Sequence, residues 1–229
     1  MKSSYYHWMS PGLVGVVSVL SACSGATGSG QAATPAPSSV AAAEFEALYR
    51  ARQDSAKMRF VEADVRFMTG MIGHHSQAIL MSRLAPARAG SGSIRTLAAR
   101  IINAQNDEIG LMQQWLRERG QAVPEVHVDE ANLALHGPDH VMNMPGMLTP
   151  AQLAQLEQAR GAEFDRLFLA FMIQHHQGAV KMVHGLFATH GAGQEDIVFK
   201  LASDVQVDQI TEIARMEKML AAMPAGRTP

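Results

Sequence analysis

The segment Met71-Ile72-Gly73-His74-His75 returns as Met172-Ile173-Gln174-His175-His176 at an offset of 101. A chain that repeats a helix-forming segment has to bury the same face twice. The offset also links Asp64 to Asp165, Phe67 to Phe168, Ala78 to Ala179, Met81 to Met182, Gln105 to Gln206, Asp107 to Asp208 and Ile109 to Ile210. A span of about 45 residues matched in this way is an internal duplication. Apolar residues recur at helical spacing through each copy, and the predicted helices are 61–85 and 94–119 in the first, 163–189 and 195–223 in the second. Ala89-Gly90-Ser91-Gly92-Ser93, with Ser93 as candidate N-cap, turns the first hairpin, and His190-Gly191-Ala192-Gly193 turns the second. Nothing from Val61 to Gly120 reads as a strand. The expected fold is therefore all-α, a duplicated helical hairpin closing about a pseudo-two-fold axis into a four-helix bundle. On a helical wheel His75 and His176 fall mid-stripe and His74 and His175 near its edge, which turns Met71 and His75 towards Met172 and His176.

The flanks define the remaining organisation. Residues 1–23 have the form of a lipoprotein signal peptide: Lys2, the apolar run Leu13 to Leu20, then Leu20-Ser21-Ala22-Cys23, which resembles a lipobox whose Cys23 is lipidated. Residues 24–43 are Ser, Gly, Ala, Thr and Pro with almost no charge and read as a flexible tether. The bundle then occupies 44–223, with repeat one at 61–120, a His- and Met-rich linker at 121–148 and repeat two at 149–223. The linker, with its Pro and Gly residues, is expected to be irregular. Thr149-Pro150-Ala151-Gln152 is expected to cap a short helix after it, broken by Gly161.

Composition matters at one point, the 15 Met and 10 His against a single Cys. A lone His on an apolar face is ordinarily a hydrogen-bonded core residue, and Met ordinarily fills gaps. Adjacent His pairs kept through a duplication, with Met three residues before and seven after the first His, are costly packing, because Leu would fill the space without burying polar rings. Met71, His74, His75 and Met81, and their counterparts Met172, His175, His176 and Met182, are therefore candidate metal ligands. Thioether with imidazole favours Cu(I) and Ag(I), with Cu(II) accessible through nitrogen. Gln105 and Gln206 are expected as supporting partners of the rings. Asp64 and Asp165 lie about 16 Å along the helix from His75 and His176 and are expected to cap or pair around the site rather than ligate. A second candidate site is the linker group His136, His140, Met142, Met144 and Met147. A net charge of -2 implies no nucleic-acid partner. No nucleophile–base pair, phosphate loop, haem-attachment motif or Glu-x-x-His motif is present, and no catalytic step is expected.

Together, Asp64 with Met71-Ile72-Gly73-His74-His75 and Ala78, then Gln105, Glu108 and Met112, Met144-Pro145-Gly146-Met147-Leu148-Thr149, Phe164-Asp165 with Phe168, Met172-Ile173-Gln174-His175-His176 and Gly178-Ala179 resemble the bacterial domain-of-unknown-function family 305. The resemblance runs from Asp64 to Ala222. It implies a ferritin-like four-helix bundle, and copper handling with the Met and His positions above as ligands. The second copy reads as departing from the first, with Gln209 at the place of Glu108 and Leu169 at that of Met68, so the halves need not bind equally.

The resulting expectation is an extracytoplasmic lipoprotein, held to the outer face of a bacterial membrane, that binds Cu(I) or Ag(I) for sequestration, tolerance or delivery, with another copper-handling protein as a candidate partner. Two alternatives stay open. One is a lipid-tethered interaction module with structural His pairs and no metal, the other non-covalent haem held by Met and His.

Overall fold

The computed structural model describes residues 39–129, 132–136 and 144–224, the side chains of 53, 56 and 126–136 excepted. Cys23 and the signal segment, with His140 and Met142, lie outside the described residues, and of His136 only the backbone is described. Helix α1 (Ser39–Lys57) begins inside the stretch expected as tether, where Val40-Ala41-Ala42-Ala43 supplies good helix formers.

The bundle is built by α2 (Glu62–Arg83), α4 (Gly92–Glu118), α6 (Gly161–Ala188) and α7 (Asp196–Ala221). Between them lie the short α3 (Ala85–Arg88) and α5 (Pro150–Gln158). α2 packs on α4 and α6 on α7 as two hairpins, and the hairpins meet through α2 and α6. α2 is consequently the most enclosed helix, with 15 of its 22 residues buried, including every residue from Met71 to Ser82. A helix touched on several sides cannot keep the single stripe drawn on a wheel. Among the described residues no helix is long and apolar enough to cross a membrane.

The local signals held at most boundaries. Thr149 and Gln152 form a capping box before Pro150, and Gly120 and Gly161 take left-handed backbone at φ 64° and 60° where helices end and begin. The N-cap of α4 is Ser91, whose hydroxyl accepts from Ser93 N–H, so Ser93 is capped rather than capping. The linker is also less irregular than expected. Strands β1 (Glu125–Asp129) and β2 (Asn132–His136) pair antiparallel with Glu125 opposite His136, and the hairpin lies against α2. Val126 and Val128, and Leu133 and Leu135, carry the period-2 pattern behind it.

Each repeat holds the other's turn. Asp64 Oδ1 accepts from Gly193 N–H at 2.7 Å, and Asp165 Oδ1 accepts from Gly90 N–H at 3.0 Å. Asp64 also accepts from Val61 N–H with Oδ2 at 2.9 Å, closing the start of α2. These aspartates are thus turn anchors and not supports of the imidazoles. The reason is the one their spacing gave: they sit three turns from the His pairs.

The apolar core forms two clusters. One contains Phe67, Met71, Ile72, Met112, Trp115, Val183 and Val205, the other Met81, Leu97, Ile101, Phe164, Phe168, Met172 and Met216. Along α2 the first cluster ends at Ile72 and the second begins at Ala78; along α6 the order is reversed. The paired histidines occupy the level between them.

Candidate metal centre

His74, His75, His175 and His176 are all fully buried. The two rings that meet across the hairpins are His74 and His175, with centroids 3.8 Å apart and planes inclined by 39°. His75 and His176 do not face each other, contrary to the wheel. Each turns into its own hairpin: His75 Nε2 donates to Glu108 Oε2 at 2.7 Å, and His176 Nε2 to Glu212 Oε2 at 2.7 Å. The stripe centre faces the nearer neighbour, α4 or α7, and its edge faces the other repeat. That assignment exchanges the roles expected of the two members of each His pair.

The hydrogen bonds fix which nitrogen is free. A carboxylate or a carbonyl only accepts, so the ring nitrogen beside it must carry the proton, and the other nitrogen of a neutral ring then presents a lone pair. Nε2 is the donor in His75, in His176 and in His74, whose Nε2 donates to the Pro145 carbonyl at 3.0 Å. The Nδ1 atoms of all three are buried and make no hydrogen bond, as are both ring nitrogens of His175. Gln105 and Gln209 add further buried side-chain polar atoms without partners. Leaving one such group unsatisfied costs about 1–3 kcal/mol, so a layer of them is a large standing expense in a stable core.

Burial also sets the protonation state. Loss of water and the neighbouring His75 imidazole pull His74 down to about 3, outweighing the raising effect of the Pro145 carbonyl. Burial and then the surrounding imidazoles drive His175 well below its ordinary value. Both rings are neutral at physiological pH, the form that binds metal. At the outer edge of the layer, partial burial and then Glu108, Glu212 and Asp204 raise the carboxyl of Asp208.

The expected ligand set separates in space. Met71 and Met172 lie one turn before the His pairs, on opposite sides of the layer, and are fully buried. Met81 and Met182 are displaced about 10 Å along the helix axis from His74 and His175. Met81 is enclosed in the core and Met182 is half-buried. Met144 and Met147 are half-buried in a strap that crosses α6. Gln77 holds this strap through two bonds to the Leu148 backbone, at 3.1 and 2.7 Å, and Gln174 Nε2 donates to the Gly146 carbonyl at 3.3 Å. Gly146 adopts φ 78°, and a Cβ on Gly178 would fall 1.9 Å from the Pro145 oxygen. Only glycine at 178 lets the strap come this close.

One expected support is misplaced. Gln206 is not the counterpart of Gln105: it is half-buried, and its Nε2 lies 2.9 Å from Nε2 of the exposed His184. The counterpart is Gln209, buried like Gln105. The turn of the second hairpin shifts the offset from 101 to 104, so α4 starts at 92 and α7 at 196. Under this register Gln105-x-x-Glu108-x-x-x-Met112 matches Gln209-x-x-Glu212-x-x-x-Met216 residue for residue. The apparent departure of Gln209 from Glu108 therefore disappears. Glu212, Gln209 and Met216, which the 101 offset passes over, belong to the layer's surroundings as Glu108, Gln105 and Met112 do, and the repeated Gln-x-x-Glu-x-x-x-Met pattern is the signal that finds them.

The duplicated helical hairpin thus encloses a layer of four buried imidazoles, two of them oriented by carboxylates, between clusters that hold Met71 and Met172, although among the described residues no three His, Cys, Asp or Glu side chains converge on one point. The chain belongs to the family described as domain of unknown function DUF305, whose model matches residues 64–220. Among solved structures it is similar to a DUF305 fragment from Deinococcus radiodurans, with 29% identity, TM-score 0.59, and 72% of this chain and 99% of that one covered. A putative secreted DUF305 protein from Streptomyces coelicolor is 30% identical, with TM-score 0.56 and coverage of 69% and 91%. CopM in its Cu(I)-bound form is 28% identical, with TM-score 0.52 and coverage of 69% and 95%; CopM is also described in Cu(II)-bound and Ag-bound forms. Among curated proteins none matches the chain.

Proposed function

We propose that this chain is an extracytoplasmic lipoprotein, anchored through Cys23, whose bundle binds Cu(I) and Ag(I) through imidazole and thioether groups for sequestration or delivery, without catalysing a reaction. The carrying observation is the repeated pair His75–Glu108 and His176–Glu212, each leaving a buried Nδ1 without a hydrogen bond. A carboxylate on one ring nitrogen that fixes the other towards a cation is the usual support of a metal-ligating histidine. The residues fit the ion in chemistry as well: His74 and His175 held neutral by burial, fully buried Met71, Met112, Met172 and Met216 in the adjoining clusters, and no Cys among the described residues. Cu(II) is accessible through the same nitrogens. The copper- and silver-bound forms of CopM support this choice of metal, the Streptomyces relative described as a putative secreted protein supports export, and the lipobox sequence supports the anchor.

The test is an anaerobic Cu(I) titration against a competing chelator of the full chain, beside a variant with His74, His75, His175 and His176 changed to Ala. Tight binding that is lost in a variant of unchanged helicity supports the reading. Equal binding by both moves the metal away from the His layer, and no binding by either removes metal from the function.

A second reading, a lipid-tethered module that meets a partner protein, is favoured by α1, where Phe45, Leu48 and Tyr49 stand 71%, 71% and 53% exposed at helical spacing. Capture of a partner by the His-to-Ala variant as efficiently as by the wild type would favour it.

A further inference from the structure

The structure separates Met182 from its duplicate Met81. The two occupy equivalent places in the repeats, yet Met81 is fully buried and Met182 only half-buried. The cause lies across the hairpin interface. In repeat two Phe171 packs against the core cluster that holds Met81. The corresponding residue of repeat one is Gly70, which has no side chain to lay over Met182. A Cβ built on Gly70 would stand 3.4 Å from Met182 Cε and 3.2 Å from Met144 Sδ. The space vacated by one side chain is bordered by two thioethers, one from α6 and one from the strap.

Met144 is not there by chance of a loose loop. The following residues are fixed by His74 on the Pro145 carbonyl, by Gln174 on Gly146 and by both bonds of Gln77 to Leu148. Met147 N–H donates to the Met144 carbonyl, closing the turn on itself. A thioether held at a fixed place beside a second one, at the surface rather than in the core, offers soft donors to an ion arriving from solvent.

Resting on the soft-metal reading above, we infer that Met144 and Met182 form, over Gly70, a solvent-reachable thioether site for a soft monovalent cation, Cu(I) or Ag(I), distinct from the buried imidazole layer. The other half carries Phe171, packed against the cluster that holds Met81, at the position of Gly70. The site also touches the layer mechanically: the strap that carries Met144 is tied to His74 one residue further on. A cation received at the surface thus lies beside the segment that covers the imidazoles.

The experiment is an anaerobic Ag(I) titration of the full chain labelled with 13C at the methionine methyl groups, followed by two-dimensional NMR. Signals are assigned with Met144→Leu and Met182→Leu, which nearly conserve volume. The Met144 and Met182 signals are expected to shift together, and Met144→Leu is expected to abolish the Met182 shift. Gly70→Phe, which copies Phe171, is expected to remove both shifts while the signals of Met71 and Met172 still respond. The site is refuted if Met182 shifts unchanged in the Met144→Leu variant. It is likewise refuted if other methionines respond and these two do not. If no signal moves and no Ag(I) is bound, the soft-metal reading falls and this inference with it.

Discussion

Acidifying the metal-free protein should destabilise it well before its carboxylates titrate, because two buried imidazoles refuse protons that the unfolded chain accepts. The unfolded rings take up protons below about pH 6.5, whereas His74 in the folded state does so only near 3 and His175 only well below its ordinary value. Between these limits the unfolded state binds more protons, so stability is full above about pH 6.5 and is lost as pH falls through the window. At roughly pH 5 His74 alone has cost about 2 kcal/mol, from 1.36 kcal/mol per pH unit, and His175 adds to the loss in the same direction. That is a large share of the 5–15 kcal/mol by which domains are ordinarily stable. Urea unfolding of the metal-free chain at about pH 7.5 and about pH 5, followed by far-ultraviolet circular dichroism, measures the difference directly. The double variant His74→Leu, His175→Leu should lose most of the dependence within this window. A wild-type free energy that changes by less than about 1 kcal/mol over the same interval would refute the assignment of neutral, desolvated rings.

Other consequences are simpler to read out. Gly178→Ala should lower the melting temperature by roughly 3–10 °C, the equivalent of about 1–3 kcal/mol, since its Cβ cannot coexist with the Pro145 carbonyl; a melt indistinguishable from wild type would show that the strap does not lie on α6. Asp64→Ala should destabilise more than Asp165→Ala, by about 1 kcal/mol per additional hydrogen bond, because Asp64 accepts from both Val61 and Gly193 whereas Asp165 holds Gly90. Denaturant unfolding tests the order, and neither change should alter Cu(I) affinity. Glu108→Gln and Glu212→Gln should each weaken Cu(I) binding about 10- to 100-fold with helicity retained. Competitive chelator titration would count against carboxylate support of the rings if affinity were unchanged in both.

Much of this architecture was legible because helical periodicity and duplication are local signals. Four long helices, their turns, the Thr149 cap and the burial of both His pairs all follow from spacing in the sequence. The hairpin in the linker was not, because the alternation of Val126 with Val128 and of Leu133 with Leu135 spans only two positions per strand beside Pro124, Gly137 and Pro138. The partners of the rings were harder still. At a constant offset, Gln206, Asp208 and Ile210 coincide with Gln105, Asp107 and Ile109, yet the structure leaves Ile210 49% exposed and buries Gln209. A few extra residues in a turn rotate the following helix, and chance identities then outvote the true register. Which His faces which neighbour could not be read either, since a wheel assigns one buried side to a helix that is enclosed on several.

The reciprocal grip of Asp64 on Gly193 and of Asp165 on Gly90 gives the two halves a relation that sequence similarity alone does not express. Cut in the linker, each half would present an anchoring carboxylate with an oxygen left unpaired and a turn left unheld. Two such halves, of the same kind or of different kinds, would satisfy each other. The bundle therefore has the form of a two-subunit assembly whose subunits are joined end to end by the Met-rich linker. That segment has no counterpart in either copy, and Met144 lies in it.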